Sequence, residues 1–164
     1  MKKVELSKGY FALVSDKDYS RVSALNWCAH VRRRKDGSIK NVYAIHNIHN
    51  PDHTTTALLM HRFILKVSNP TVEVDHKDHN GLNNQRLNLR KATGQQNKHH
   101  SRKRVDNTSG FKGVHWDAAR QQWKATIKLD SKTKHLGYFG KVKDAANVYD
   151  KAAKKCFGRF AVTN

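Results

Sequence analysis

Short apolar runs separated by polar turns dominate residues 10 to 64. Gly9-Tyr10-Phe11-Ala12-Leu13-Val14, Leu25 to Val31 and Val42-Tyr43-Ala44-Ile45 each have strand length, with Lys35-Asp36-Gly37-Ser38 as an intervening turn. The pattern predicts a β-rich opening. In residues 57 to 66 the spacing of Leu58, His61, Arg62 and Leu65 changes to that of a short buried helix, followed by a turn that Pro70 ends. Between Asn97 and Thr108 runs a basic polar stretch with almost nothing to bury, which predicts a linker carrying His99 and His100 as charge carriers. Beyond it, Trp123, Ala125, Ile127 and Leu129 alternate with Lys124, Thr126 and Lys128. That is the period of a half-buried strand with one apolar and one basic face. Gly110 to Trp116 and His135 to Phe139 flank it as neighbouring strands, with a turn over Asp130-Ser131-Lys132-Thr133 before the last. Ala145, Val148, Tyr149, Ala152 and Cys156 then recur at helical steps, from an N-cap at Asp144 to a stop at Gly158. A helix packed on a three-stranded sheet follows.

Composition sharpens this picture. With 164 residues and 37% hydrophobic content, two small cores fit better than one large one. A formal net charge of +19 makes nucleic acid the first partner to consider, although charge alone treats DNA, RNA and an anionic membrane alike. Met1 to Leu6 is charged, and no apolar run approaches the roughly 20 residues of a membrane-spanning helix. The expectation is therefore a protein of the cytoplasm, in a bacterium or a phage-infected cell, with no membrane partner. Cys28 and Cys156 are far apart and form no CxxC pair, so reduced, ordinary thiols are expected.

The segment richest in chemistry runs from Val74 to Asn97. It holds Asp75-His76, then Asn88 in an Asn-Leu-Arg context, then Asn97, with Met60-His61-Arg62 and an apolar run upstream. In order and spacing this resembles the HNH nuclease motif of phage and intron homing endonucleases. Phosphodiester hydrolysis needs an activated water and a counter-charge for the phosphate, which an imidazole and a divalent metal supply. The resemblance implies a β-hairpin and helix around one metal, with His76 as general base and Asp75 and Asn97 as metal ligands. It also implies that Asn88 holds the imidazole of His76 through a hydrogen bond. A carboxylate with an amide oxygen is a hard ligand set, which favours magnesium, with manganese as the alternative, over zinc. His61 reads first as a structural residue satisfied by a polar neighbour. His79 reads as a solvated loop residue or a contact to the phosphate or metal, and Asn83-Asn84 as loop chemistry.

Residues 109 to 164 resemble the Apetala-two, or ethylene-response-factor, DNA-binding domain of plants. Gly110-Phe111-Lys112-Gly113-Val114-His115-Trp116, the strand from Trp123 to Lys128, His135-Leu136-Gly137-Tyr138-Phe139 and the helix around Tyr149 carry the resemblance. In that family the sheet enters the major groove, which places Lys112, His115, Thr126, Lys128 and His135 as DNA contacts and Lys124 at a phosphate. Lys and His stand where the family often uses Arg and Trp, which weakens bidentate guanine readout. Trp123, Ile127 and Tyr149 lie on the apolar stripes and are expected in the core.

Together these readings predict an α+β chain. An HNH nuclease domain over 1–99, with its ββα-metal motif about 72–99, a basic linker over 100–108 and a DNA-binding domain over 109–164 are expected. The expected activity is a site-directed, metal-dependent endonuclease on double-stranded DNA, nicking as a monomer or cutting both strands as a dimer. The alternative is a non-catalytic DNA-binding transcription regulator that uses the HNH unit as a scaffold.

Overall fold

The computed structural model describes residues 1–130 and 132–164, so the expected turn at 130–133 lies partly outside the described residues, at Ser131. The chain is α+β, with several small sheets and four α-helices among the described residues. It divides into two compact units, Met1–Thr93 and Gly94–Asn164. Among the described residues no helix is long and apolar enough to cross a membrane.

In the first unit β1 (Lys2–Glu5) pairs antiparallel with β2 (Phe11–Val14), and β2 pairs in parallel with the two-residue β7 (Asn83–Asn84). A second sheet joins β3 (Cys28–Arg33), β4 (Ile39–His49) and β5 (Thr55–Leu59), all antiparallel. Helices α1 (Asp16–Ser23) and α2 (Met60–Leu65) contribute Val22, Met60 and Ile64 to a core shared with Val14, Trp27 and Ala44. The apolar run 57 to 66 is thus not one helix. Leu58 and Leu59 complete a strand and the chain turns helical only at Met60, ending with Lys66 in the left-handed region. The last pair, β6 (Glu73–His76) with β8 (Leu89–Ala92), sets Asp75 opposite Arg90 and His76 opposite Leu89.

In the second unit β9 (Val114–Asp117), β10 (Gln122–Leu129) and β11 (Lys132–Phe139) form one antiparallel sheet in the order β11-β10-β9. The apolar stripe of β10 meets α4 (Val142–Phe157), where Ala125, Ile127, Ala145, Tyr149 and Ala153 are buried. The helix starts a turn earlier than its apolar spacing suggests. Lys141 occupies the cap position and Asp144 sits in the first turn, where its charge favours the helix dipole instead of capping it. Gly113 has φ +74°, and a Cβ there would stand 2.2 Å from the Tyr149 ring, so this position admits glycine alone.

The expected linker is more ordered than its composition suggests. Helix α3 (Gly94–His99) precedes it and groups with the second unit. His99 stacks on Phe157 at 3.9 Å between ring centroids and His100 is buried, so neither is a solvated charge carrier. The Asn107 side-chain amide donates to the Phe111 carbonyl, and the Ser109 hydroxyl is held by Phe111 and Val114.

Candidate active site and nucleic-acid face

His76 closes strand β6, and both it and its neighbour Asp75 are buried. Successive strand side chains leave opposite faces, and the two residues accordingly meet different partners. Asp75 turns to its cross-strand partner Arg90, whose Nε and Nη2 both approach Oδ2 at 2.7 Å. His76 turns into a cluster of rings: His61 lies edge-on at 5.1 Å and Tyr43 tilted at 6.0 Å, with Tyr43 and His61 themselves 5.9 Å apart. Gly81 makes room for this cluster, since a Cβ there would come within 2.6 Å of the Tyr43 ring.

The hydrogen-bond partner of His76 is Asn84, with Nε2 3.4 Å from Oδ1. Because that oxygen is an acceptor, the assigned geometry puts the ring proton on Nε2 and leaves Nδ1 with a lone pair. Asn84 is fully buried and is carried by β7, whose parallel pairing with β2 fixes it. Asn83-Asn84 is therefore strand rather than loop.

Asn88, expected to orient the imidazole, does something else. Its amide donates to Asp78 Oδ1 at 2.9 Å and to the Asn83 carbonyl at 2.7 Å, and its oxygen accepts the Asp78 N–H at 3.1 Å. Asn88 thereby closes the loop between β6 and β8, and the hydrogen bond to the ring comes from Asn84. Nothing short-range in the sequence distinguishes these two carboxamides; the distinguishing contact is with β2, some 70 residues upstream. In the same loop His79 adopts a left-handed backbone, its N–H donating to the His76 carbonyl.

Burial is the main influence on both imidazoles. It lowers His61 to about 3, with the charges of His76 and Arg62 adding to the effect. It lowers His76 too, partly opposed by the Asn84 hydrogen bond and the Asp78 and Asp75 carboxylates. Both rings are neutral near pH 7, and His61 has no hydrogen bond among the described residues, contrary to the polar neighbour expected for it. For Asp78, burial pushes upward but the Asn80, Asn83 and Asn88 hydrogen bonds outweigh it, so the carboxylate titrates below its ordinary range.

Asn97 lies half-buried on α3, in the second unit. Among the described residues no group of three or more His, Cys, Asp or Glu side chains could hold a metal ion. The buried Asp75 carboxylate beside His76 is a hard oxygen donor of the kind magnesium takes.

In the second unit, register gathers most of the expected DNA contacts. His115 pairs with Lys124, Lys124 with Tyr138, Thr126 with His135 and Lys128 with Thr133, so these side chains share the sheet face opposite α4. Lys112 is separate. It precedes β9 and its ammonium donates to the His99 and Ser101 carbonyls at 2.9 and 2.5 Å, with burial lowering its pKa. Between residues 101–108 and the sheet lies a cleft of about 470 Å³ lined in part by Arg102, Lys103, Arg104, His115 and Lys128. Tyr138 was not singled out as a contact from the sequence, yet it sits on the open face, across from Lys124 on the edge strand β11.

No family model matches the chain, and no solved structure matches it. Three curated proteins are similar. An uncharacterised HNH endonuclease of Acanthamoeba polyphaga mimivirus is 34% identical over 110 residues, 64% of this chain and 56% of the relative. An ethylene-responsive transcription factor-like protein of Arabidopsis thaliana is 33% identical over 84 residues, 50% of this chain and 36% of the relative. Protein 3.8 of Escherichia phage T7 is 31% identical over 88 residues, 54% of this chain and 72% of the relative. The chain thus spans little more than half of the mimivirus protein and about a third of the plant one.

Proposed function

From a chain that belongs to the family of Protein 3.8 of Escherichia phage T7, we infer a metal-dependent, site-directed endonuclease of double-stranded DNA. The observation that carries this reading is the buried imidazole of His76, its pKa lowered chiefly by burial and its Nε2 3.4 Å from the Asn84 amide oxygen, next in sequence to the buried Asp75 carboxylate. An imidazole held this way can accept a proton from water attacking a phosphodiester. The similarity to a protein named HNH endonuclease supports the same chemistry.

In this reading the Asp75 carboxylate would be a ligand of a divalent cation, magnesium or manganese, which when bound supplies counter-charge to the phosphate and the leaving oxygen. Nδ1 of His76 takes the proton of the attacking water, Asn84 fixes the tautomer, and Asn88 with Asp78 keeps the loop closed. His115, Lys124, Thr126, Lys128 and His135 meet the duplex, while Lys112 anchors the 99–101 segment. One such centre handles one phosphodiester, so a monomer nicks and a double-strand break takes two.

One observation favours a second reading, a DNA-binding regulator without catalysis. Arg90 already compensates the charge of Asp75, as a purely structural pair would. Supercoiled plasmid incubated with the protein and magnesium separates the two. Nicking that EDTA and His76→Ala abolish supports the enzyme. Tight binding with no strand scission in magnesium or manganese supports the regulator.

A further inference from the structure

The open face of the β9-β10-β11 sheet holds a cation–aromatic group around Tyr138, near the end of the edge strand β11. The Arg120 guanidinium lies over the Tyr138 ring at 4.8 Å from its centroid, the Lys124 ammonium is 5.8 Å from the same centroid, and the His135 ring packs on Tyr138 at 4.5 Å. Arg120 comes from the turn between β9 and β10, outside the strands. Asp117 holds that turn, with Oδ1 accepting the Arg120 N–H at 3.1 Å and Oδ2 lying 3.7 Å from Nη1. The first of these contacts uses the backbone N–H; the Arg120 side chain is 57% exposed, and no hydrogen bond among the described residues engages its guanidinium. The guanidinium is thus open to solvent above the ring.

We propose that Arg120, seated on Tyr138, is the guanine-reading side chain of this sheet face when it meets the major groove of duplex DNA. The inference rests on the reading of the second unit as DNA-binding and adds a base-specific contact to it. Charge supports the occupant: residues 94 to 164 hold sixteen Lys and Arg against five Asp and no Glu. A β-ribbon fits the major groove of B-DNA, where a planar guanidinium can bond both O6 and N7 of guanine. An ammonium such as that of Lys124 or Lys128 is a point charge without that fork. The strands thus bring lysines, which hold phosphate, while the turn brings the arginine. Contact with the Tyr138 ring restrains the fork before binding and reduces the ordering it must undergo.

The test is binding-site selection by the full chain from a library of 30-base-pair duplexes with a randomised core, followed by affinity measurements on the selected duplex over a range of salt. The unsubstituted chain is expected to select a site with at least one fixed guanine. Arg120→Lys should lose preference at that position alone, with affinity for the selected duplex about 10- to 100-fold weaker. Tyr138→Ala should reproduce part of that loss, and Tyr138→Phe should retain the preference because the ring face remains. Comparable circular dichroism for Tyr138→Phe and the parent chain covers failure to fold. Arg120→Ala weakening all duplexes equally, with an unchanged selected sequence and a salt slope smaller by about 1, would make Arg120 a phosphate contact and overturn the proposal. Selection unchanged in every Arg120 variant overturns it while leaving DNA binding intact. No selection by the parent chain, or equal competition by double-stranded RNA of the same sequence, removes the DNA-binding reading and the proposal together.

Discussion

At the scale of single residues, the site is governed by what burial does to polar groups. A buried carboxamide must be used, and Asn84 uses its oxygen on Nε2 of His76 and its amide on the Gly81 carbonyl. Asn84→Ala is therefore expected to free the imidazole tautomer and lower cleavage about 10- to 100-fold, by analogy with other groups that orient a reactive histidine. Its measurement is single-turnover nicking at saturating DNA. A rate equal to the parent would give the tautomer to another group. His61 carries a different consequence. Its folded-state pKa of about 3 lies below the unfolded value of 6.5, so the neutral ring is favoured in the fold. The associated stability is complete above pH 6.5 and lost as pH falls from there toward 3, by at most about 1.4 kcal/mol per unit. His76, shifted in the same direction, adds to the loss. Thermal melts at pH 7.5 and pH 5 should show the parent losing more stability than His61→Phe. Equal losses would mean that His61 is solvated in the fold. From sequence, His76 was legible through the resemblance to the HNH motif, and His61 as a structural residue upstream of it. Asn84 was not, because its burial comes from a strand partner far upstream.

At the scale of elements, legibility follows how much of a segment's stability is written in its own periodicity. Strand β10 and helix α4 bury one clean stripe each, so their spacing identified them. Helix α1 buries only Val22 and a carboxylate, Asp18, so it shows no apolar period and its region read as part of a strand series. What holds α1 is tertiary. Asp18 receives Arg86 through Nε at 2.7 Å and Nη2 at 2.8 Å, and Arg21 at 3.2 Å, while both arginines also donate to the Ile64 carbonyl at the end of α2. Arg86 thus fastens the loop preceding β8 to two helices. Arg86→Ala is expected to destabilise the first unit by about 1–2 kcal/mol. This is less than for a wholly buried pair, because Arg86 is one-third exposed and Arg21 still faces Asp18. Urea unfolding followed by Trp fluorescence measures it. Asp18→Ala, which leaves two guanidinium groups facing a carbonyl, should cost more, and the reverse order would mean that the pair contributes little.

At the scale of the whole molecule, two units with separate cores carry two kinds of surface, one with a buried imidazole and carboxylate, the other an exposed basic sheet. The net charge of +19 made a polyanionic partner legible from composition alone. The face proposed to meet it depends on strand register, which sets His115, Lys124, Thr126, Lys128 and His135 on one side and leaves Lys112 apart. In the proposed function the two surfaces do different work, so substitutions in them should separate binding from chemistry. Lys124→Ala combined with Lys128→Ala removes two phosphate-reaching charges. It should lower the slope of log affinity against log salt by about 2 and raise the DNA concentration needed for half-maximal nicking. The rate at saturating DNA should change little, since the interactions lost are the same in ground state and transition state. His76→Ala should show the converse, with duplex affinity and salt slope retained and turnover lost. A double lysine variant whose saturated rate falls as far as that of His76→Ala would mean that the sheet acts in the chemical step itself, and the division of labour between the two units would not stand.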